Sequence, residues 1–223
     1  PAQVPVRAYV GLASAEDVRD RAALAVRELQ RAGGFERAVL VVVTTTGTGW
    51  VDPAACESLE DQFNGDTAMV AVQYSYLPSW LSFLVDRVKA RDAGRALFDA
   101  VYGAWAQLPA ESRPELLVFG ESLGTFGGEA AFSGLADVEN RTDGVVWAGP
   151  PNVNELWRGL VADREPGTPE WLPVHDGGRT VRFADEAPDL AGPPAPWGTP
   201  RVVYLQNASD PIVWWSPRLL LSR

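Results

Sequence analysis

Apolar and polar positions fall into two textures along this chain. Short aliphatic runs cover residues 6–12, 38–43, 67–73, 114–119, 144–148 and 201–206. Runs of this kind, rich in Val, predict strands buried on both faces. Between them, apolar residues recur every three or four positions, as on the buried stripe of a helix. Val18, Ala22, Ala25, Val26 and Leu29 form one such stripe. It opens near Ser14, with Asp17 at capping-box spacing, and closes at Gly33-Gly34. Residues 53–63 predict a short helix with Pro53 in its first turn. Residues 92–108 predict a longer one, with Ala93, Leu97, Ala100, Val101 and Leu108 on one face. Residues 123–137 predict another. Strands that alternate with helices in this way predict an α/β domain: a mostly parallel, twisted sheet with helices on both faces.

The texture breaks once, over residues 150–200, where ten of the 18 prolines lie and periodicity is poor. This reads as a Pro-rich excursion or cap before the last strand, with one short strand near residues 179–184. The whole of residues 1–223 is expected to form one domain. Hydrophobic residues make up 46% and charged residues 22%, enough to bury a full core. The longest uncharged stretch, residues 67–85, is interrupted by Gln73, Ser75, Pro78, Ser79 and Ser82. A bilayer span needs ~20 predominantly apolar residues in a row, so this stretch reads as a strand and a loop. A net charge of −10 disfavours nucleic acid and anionic lipid as partners. One cysteine and one histidine exclude an intrachain disulfide and a dedicated Cys/His zinc site. No cofactor or metal is expected. The Gly/Thr loop at residues 44–50 lacks the lysine that a Walker phosphate loop requires.

Chemistry enters at Gly120-Glu121-Ser122-Leu123-Gly124. G-x-S-x-G is a weak pattern alone, but here a strand runs into it and a helix rich in small residues follows. That is the context of a nucleophile elbow in an α/β-hydrolase fold, with the serine at the apex of a strained turn. The alternative is an ordinary strand–helix turn with Ser122 as N-cap. A serine nucleophile needs an oxyanion hole. The expected donors are the backbone N–H of Leu123 and one from the Gly-rich loop after residues 38–43, at Thr46 or Gly47. The triad order in this fold is serine, acid, histidine. Counting two strands past the elbow leads to Asp210 as the acid; a turn-forming aspartate before Pro211 is the alternative. His175 is the only histidine, and it precedes Asp210 within the Pro-rich excursion. It serves as base only if the excursion folds over Ser122. The better expectation is a histidine beyond Arg223, on a C-terminal strand and loop outside this chain.

Six segments together resemble a family of actinobacterial α/β-hydrolases with a multi-pass membrane region ahead of the catalytic domain. They are VVVTTTGTGWVD (41–52), VQYSYLPSWL (72–81), FGESLG (119–124), AFSGLAD (131–137), DGGRTVRF (176–183) and ASDPIVWWS (208–216). The resemblance implies the α/β-hydrolase fold, Ser122 as nucleophile and Asp210 as acid. It also implies a domain tethered to the membrane through a segment outside this chain, with the histidine supplied after Arg223.

The aromatic stretch 74–84, with Trp50, Trp214 and Trp215, is expected on one rim of the sheet, where acyl chains or lipid esters would suit it. Packing of the same aromatics into the core is the alternative. The expected activity is that of a serine hydrolase on an ester or thioester, lipid-like esters included. An acyltransferase with the same nucleophile and a non-catalytic scaffold on a hydrolase fold are the other classes compatible with the sequence.

Overall fold

The aliphatic runs form strands of one parallel sheet in a computed structural model that describes residues 2–77 and 87–214. The strands are β1 (Val6–Val10), β2 (Val39–Thr44), β3 (Thr67–Val72), β4 (Glu115–Glu121), β5 (Gly144–Ala148), β6 (Val181–Ala184) and β7 (Arg201–Leu205). Their order across the sheet is β1-β3-β2-β4-β5-β7-β6, and every strand pair is parallel. Every residue of β2 and β3 is buried, as the unbroken aliphatic runs predicted.

The helices are α1 (Val18–Arg31), α2 (Pro53–Gln62), α3 (Arg87–Trp105), α4 (Leu123–Glu129), α5 (Leu135–Arg141), α6 (Glu155–Ala162) and α7 (Pro211–Trp214). One face of the sheet packs Leu40, Val42, Val70, Val118 and Trp147 against α1, α3 and α4. The other packs Val39, Val41, Val43, Met69 and Phe119 against Ala55, Leu59 and the neighbourhood of α2. Alternate residues of β2 thus serve two separate cores, which is why the run carries no polar position.

Three expectations change at the level of caps and breaks. Asp17, not Ser14, caps α1, accepting from Arg19 N at 2.6 Å. The longest helix spans Arg87–Trp105, beginning earlier and ending earlier than its apolar stripe indicated. The helix expected over 123–137 is two helices. Ala131 N and Phe132 N bond back only three residues, to Gly128 O and Glu129 O, which closes α4. Phe132 then turns inward, its ring 4.6 Å from Phe98 and 6.3 Å from Trp147.

The Pro-rich excursion returns to the sheet rather than staying outside it. Its strand β6 pairs with β7 and forms the edge of the sheet among the described residues. The segment after β6 is held by the buried Arg182, which donates to the carbonyls of Gly178, Leu190 and Ala195 and lies over the Trp197 ring. A chain folded around one guanidinium needs no apolar repeat, which accounts for the missing periodicity.

Strand order places the chemistry. From β2 the chain steps to β3 on one side, and β4 lies on the other. Such a reversal opens a crevice beyond the carboxyl ends of the strands, and the elbow and the Gly/Thr loop both emerge there.

Candidate active site

β4 ends at Glu121, and α4 begins at Leu123, so the whole reversal falls on Ser122. Its backbone sits at φ 51°, ψ −122°, a conformation that costs an L-residue of order 1–3 kcal/mol. Two bonds hold it. Ser122 N donates to Ala148 O on β5 at 2.8 Å, and Ser122 O accepts from both Thr125 N and Thr125 Oγ1, at 2.9 and 2.7 Å. The flanking glycines are needed for space. A Cβ on Gly120 would stand 2.6 Å from Thr44 Oγ1, and one on Gly124 would stand 2.2 Å from Thr44 O. Thr44 Oγ1 donates to Gly124 O at 2.6 Å, so the last residue of β2 clasps the first turn of α4.

The Gly/Thr loop therefore lies against the elbow, with Thr45 O 3.2 Å from the Gly124 Cβ position. Leu123 opens α4, and first-turn amides have no partner inside their helix. Its N–H faces no competing claim from α4. Thr46 differs: its N–H donates to Trp50 O at 3.1 Å and closes the loop's own turn. Of the two donors expected from this loop, Thr46 and Gly47, Thr46 is engaged in this way.

Asp210 follows β7 and sits immediately before α7. Its amide donates to Asn207 O at 3.1 Å, and its carbonyl accepts from Trp214 N at 3.3 Å. Asp210 Oδ2 lies 3.7 Å from where a Cβ on Gly149 would stand. Gly149 directly follows Ala148, the residue bonded to Ser122 N. Ser122 and Asp210 accordingly line one cavity of about 340 Å³, with Glu121, Gly149, Asp185, Gln206 and Asn207 among its walls. These walls carry three carboxylates and neither Lys nor Arg. Burial and the nearby Asp52 raise the Glu121 acid above its ordinary range.

His175 is elsewhere. It lines a second cavity of about 530 Å³, between α3, α4 and α6, whose walls include neither Ser122 nor Asp210. The two are not brought together, because the excursion leads from α6 to the sheet edge rather than across the elbow. Trp50 and Tyr76 are exposed, as a rim would require. Trp214 instead packs edge-on against Trp157 at 5.8 Å. Residues 78–84 of the aromatic stretch and Trp215 lie outside the described residues. Among the described residues, no cluster of three or more His, Cys, Asp or Glu could hold a metal, and no helix is long and apolar enough to cross a membrane.

Sequence reasoning missed two groups. Asp185, at the tip of β6, accepts from Asn207 Nδ2 at 2.7 Å beside Asp210. Glu129 on α4 is buried; burial raises its carboxyl from 4.5 to about 7, opposed by hydrogen bonds from Asn154, Tyr204 and the Trp157 and Leu156 amides. The only sign of it in the sequence is an acid within a run of small residues.

A family model described as "Alpha/beta-hydrolase family" matches residues 6–223. No curated protein matches the chain.

Proposed function

The chain belongs to the alpha/beta-hydrolase family, and from that premise we propose that it is a serine hydrolase acting on an ester or thioester through an acyl-enzyme on Ser122. The observation that carries this reading is Ser122 at φ 51°, at the apex between β4 and α4, sharing one cavity with Asp210. Strain of this kind persists only where surrounding structure enforces it, and it lifts the serine side chain clear of its strand and helix. In this reading Leu123 N and Gly47 N stabilise the oxyanion, and Asp210 orients the base. The base is a histidine from outside residues 1–223, because His175 lines the other cavity. The carboxylates around Ser122 favour an imidazolium and oppose an anionic acyl group, so the substrate is an ester uncharged at its acyl end. On the six matching segments, we assign the chain to the actinobacterial branch whose membrane region precedes the catalytic domain. The domain then works beside a bilayer, on lipid-like esters.

A fluorophosphonate probe tests the reading on the full-length protein. Labelling is expected at Ser122 and lost in Ser122→Ala. Wild-type protein that stays unlabelled would sink it. Adding water or a lipid alcohol to the acyl-enzyme then separates hydrolysis from transfer.

A further inference from the structure

A line of buried polar groups runs from the elbow towards the acid loop, and Glu129 stands in the middle of it. Thr125 Oγ1, which holds Ser122 O, accepts from Asn154 Nδ2 at 2.9 Å. The Asn154 side chain also lies near enough to the Glu129 carboxylate to favour its charged form. Glu129 Oε1 accepts from Tyr204 Oη on β7 at 2.9 Å. Glu129 Oε2 accepts from Leu156 N and Trp157 N at the start of α6, at 3.1 and 3.4 Å. Trp157 Nε1 donates to Gln206 Oε1 at 2.7 Å. Gln206 leads into Asn207, whose carbonyl accepts from Asp210 N and from Trp214 Nε1. Thr125, Glu129, Asn154, Trp157, Tyr204 and Gln206 are all buried, at 5% exposure or less.

One carboxylate therefore ties its own helix α4 to two separately placed elements: the acid-bearing strand β7 and the first turn of α6. We propose that Glu129 is a positioning residue that fixes Ser122 relative to Asp210. The assignment rests on the serine-hydrolase reading of the site.

An ionisable group is an expensive way to fill this place, since burial disfavours its charged form. A purely structural joint could use an amide. Glutamine has one acceptor oxygen, however, and cannot accept from Tyr204 Oη and from the two α6 amides with separate oxygens. The carboxylate has an acceptor for each side. On its open side Glu129 faces the second cavity, where Arg91 and Arg95 from α3, Glu155 and Asp163 from α6, and His175 are the charged or titratable neighbours. Tyr204 faces it from β7, its hydroxyl pushed up by burial and by the carboxylate.

The test is steady-state turnover of a neutral ester by the full-length protein. The variants are Glu129→Gln, Tyr204→Phe and the double variant, each assayed below its unfolding temperature. A misplacement of ~1 Å costs about 10²-fold in rate. Each single variant is expected to lower kcat about tenfold with KM unchanged, and the double variant to fall no further. If Glu129→Gln does not fold, Tyr204→Phe carries the test alone. Single variants with wild-type kcat, or losses that multiply in the double variant, overturn the positioning role and leave the nucleophile assignment intact. Wild-type protein without turnover overturns both.

Discussion

Gly124→Ala adds one methyl group where α4 crosses the end of β2. Its Cβ would stand 2.2 Å from Thr44 O, more than an ångström inside the 3.4 Å at which ordinary contact begins. Thr44 C and Thr45 O follow at 3.1 and 3.2 Å. All three are backbone atoms, so no rotamer change relieves the clash. Two opposing contributions set the sign. Alanine gains about 1 kcal/mol over glycine in a helix. Overpacking costs typically 1–3 kcal/mol, and losing the 2.6 Å bond from Thr44 Oγ1 to Gly124 O costs about 1 kcal/mol more. The net expectation is a loss of about 1–3 kcal/mol. For a chain of this size that lowers Tm by about 2–12 °C. The larger effect falls on activity. If α4 lifts to accommodate the methyl, Ser122 moves with it by about an ångström, and the rate falls about 10²-fold. The assay pairs thermal unfolding with the rate of fluorophosphonate labelling at Ser122. Gly103→Ala on α3 is the control, because a Cβ there meets nothing within 4 Å. It should stabilise by about 0.5–1 kcal/mol and leave labelling unchanged. A Gly124→Ala protein as stable and as reactive as wild type would refute the close approach of β2 and α4.

Three further outcomes are expected. Asp210→Asn keeps the shape of the acid but not its charge, and turnover should fall about 10⁴-fold with the fold intact; a loss under tenfold would remove Asp210 from the triad. Arg182→Met leaves the Gly178, Leu190 and Ala195 carbonyls without their donor, at about 1–3 kcal/mol for each buried group left unpaired. Limited proteolysis should then cut first within residues 186–198; an unchanged digestion pattern would refute the anchoring role. Glu129 sets a pH slope. Its folded-state carboxyl titrates at about 7 against 4.5 for an unburied one, so its contribution to stability is full below 4.5 and is lost as pH rises through 7. Denaturant midpoints between about pH 5 and pH 8 should fall less steeply in Glu129→Gln than in wild type. Parallel slopes would count against a titrating Glu129.

The sheet was readable because each strand carries its own signal. Residues 144–148 form the strand β5 that their aliphatic run predicted, with the same limits. Ser122 was readable because the elbow needs glycines within two residues on either side, a local demand. Asp210 was reached by counting two strands past the elbow, with the short strand near residues 179–184 left out of the count. That strand, β6, does join the sheet, but it lies outside β7 rather than between β5 and β7. What stayed hidden is non-local. Thr46 looks like a free donor until Trp50 returns to take its N–H. Glu129 is only an acid within a run of small residues until Tyr204, 75 residues later, arrives to bond it. Nor does the break between α4 and α5 show in periodicity, because it is set by Phe132 finding Phe98 and Trp147.

The place of β6 has a consequence for how the acid is protected. Sheet edges fray first, since their outer groups have no ladder partner. By forming the edge itself, β6 makes β7 an interior strand with a neighbour on each side. Opening fluctuations at this margin of the sheet therefore spend themselves on Val181–Ala184 before they reach the strand that leads to Asp210. Amide exchange should be slower along β7 than along β6. The loop that carries Asp210 then starts from a strand held by a neighbour on each side.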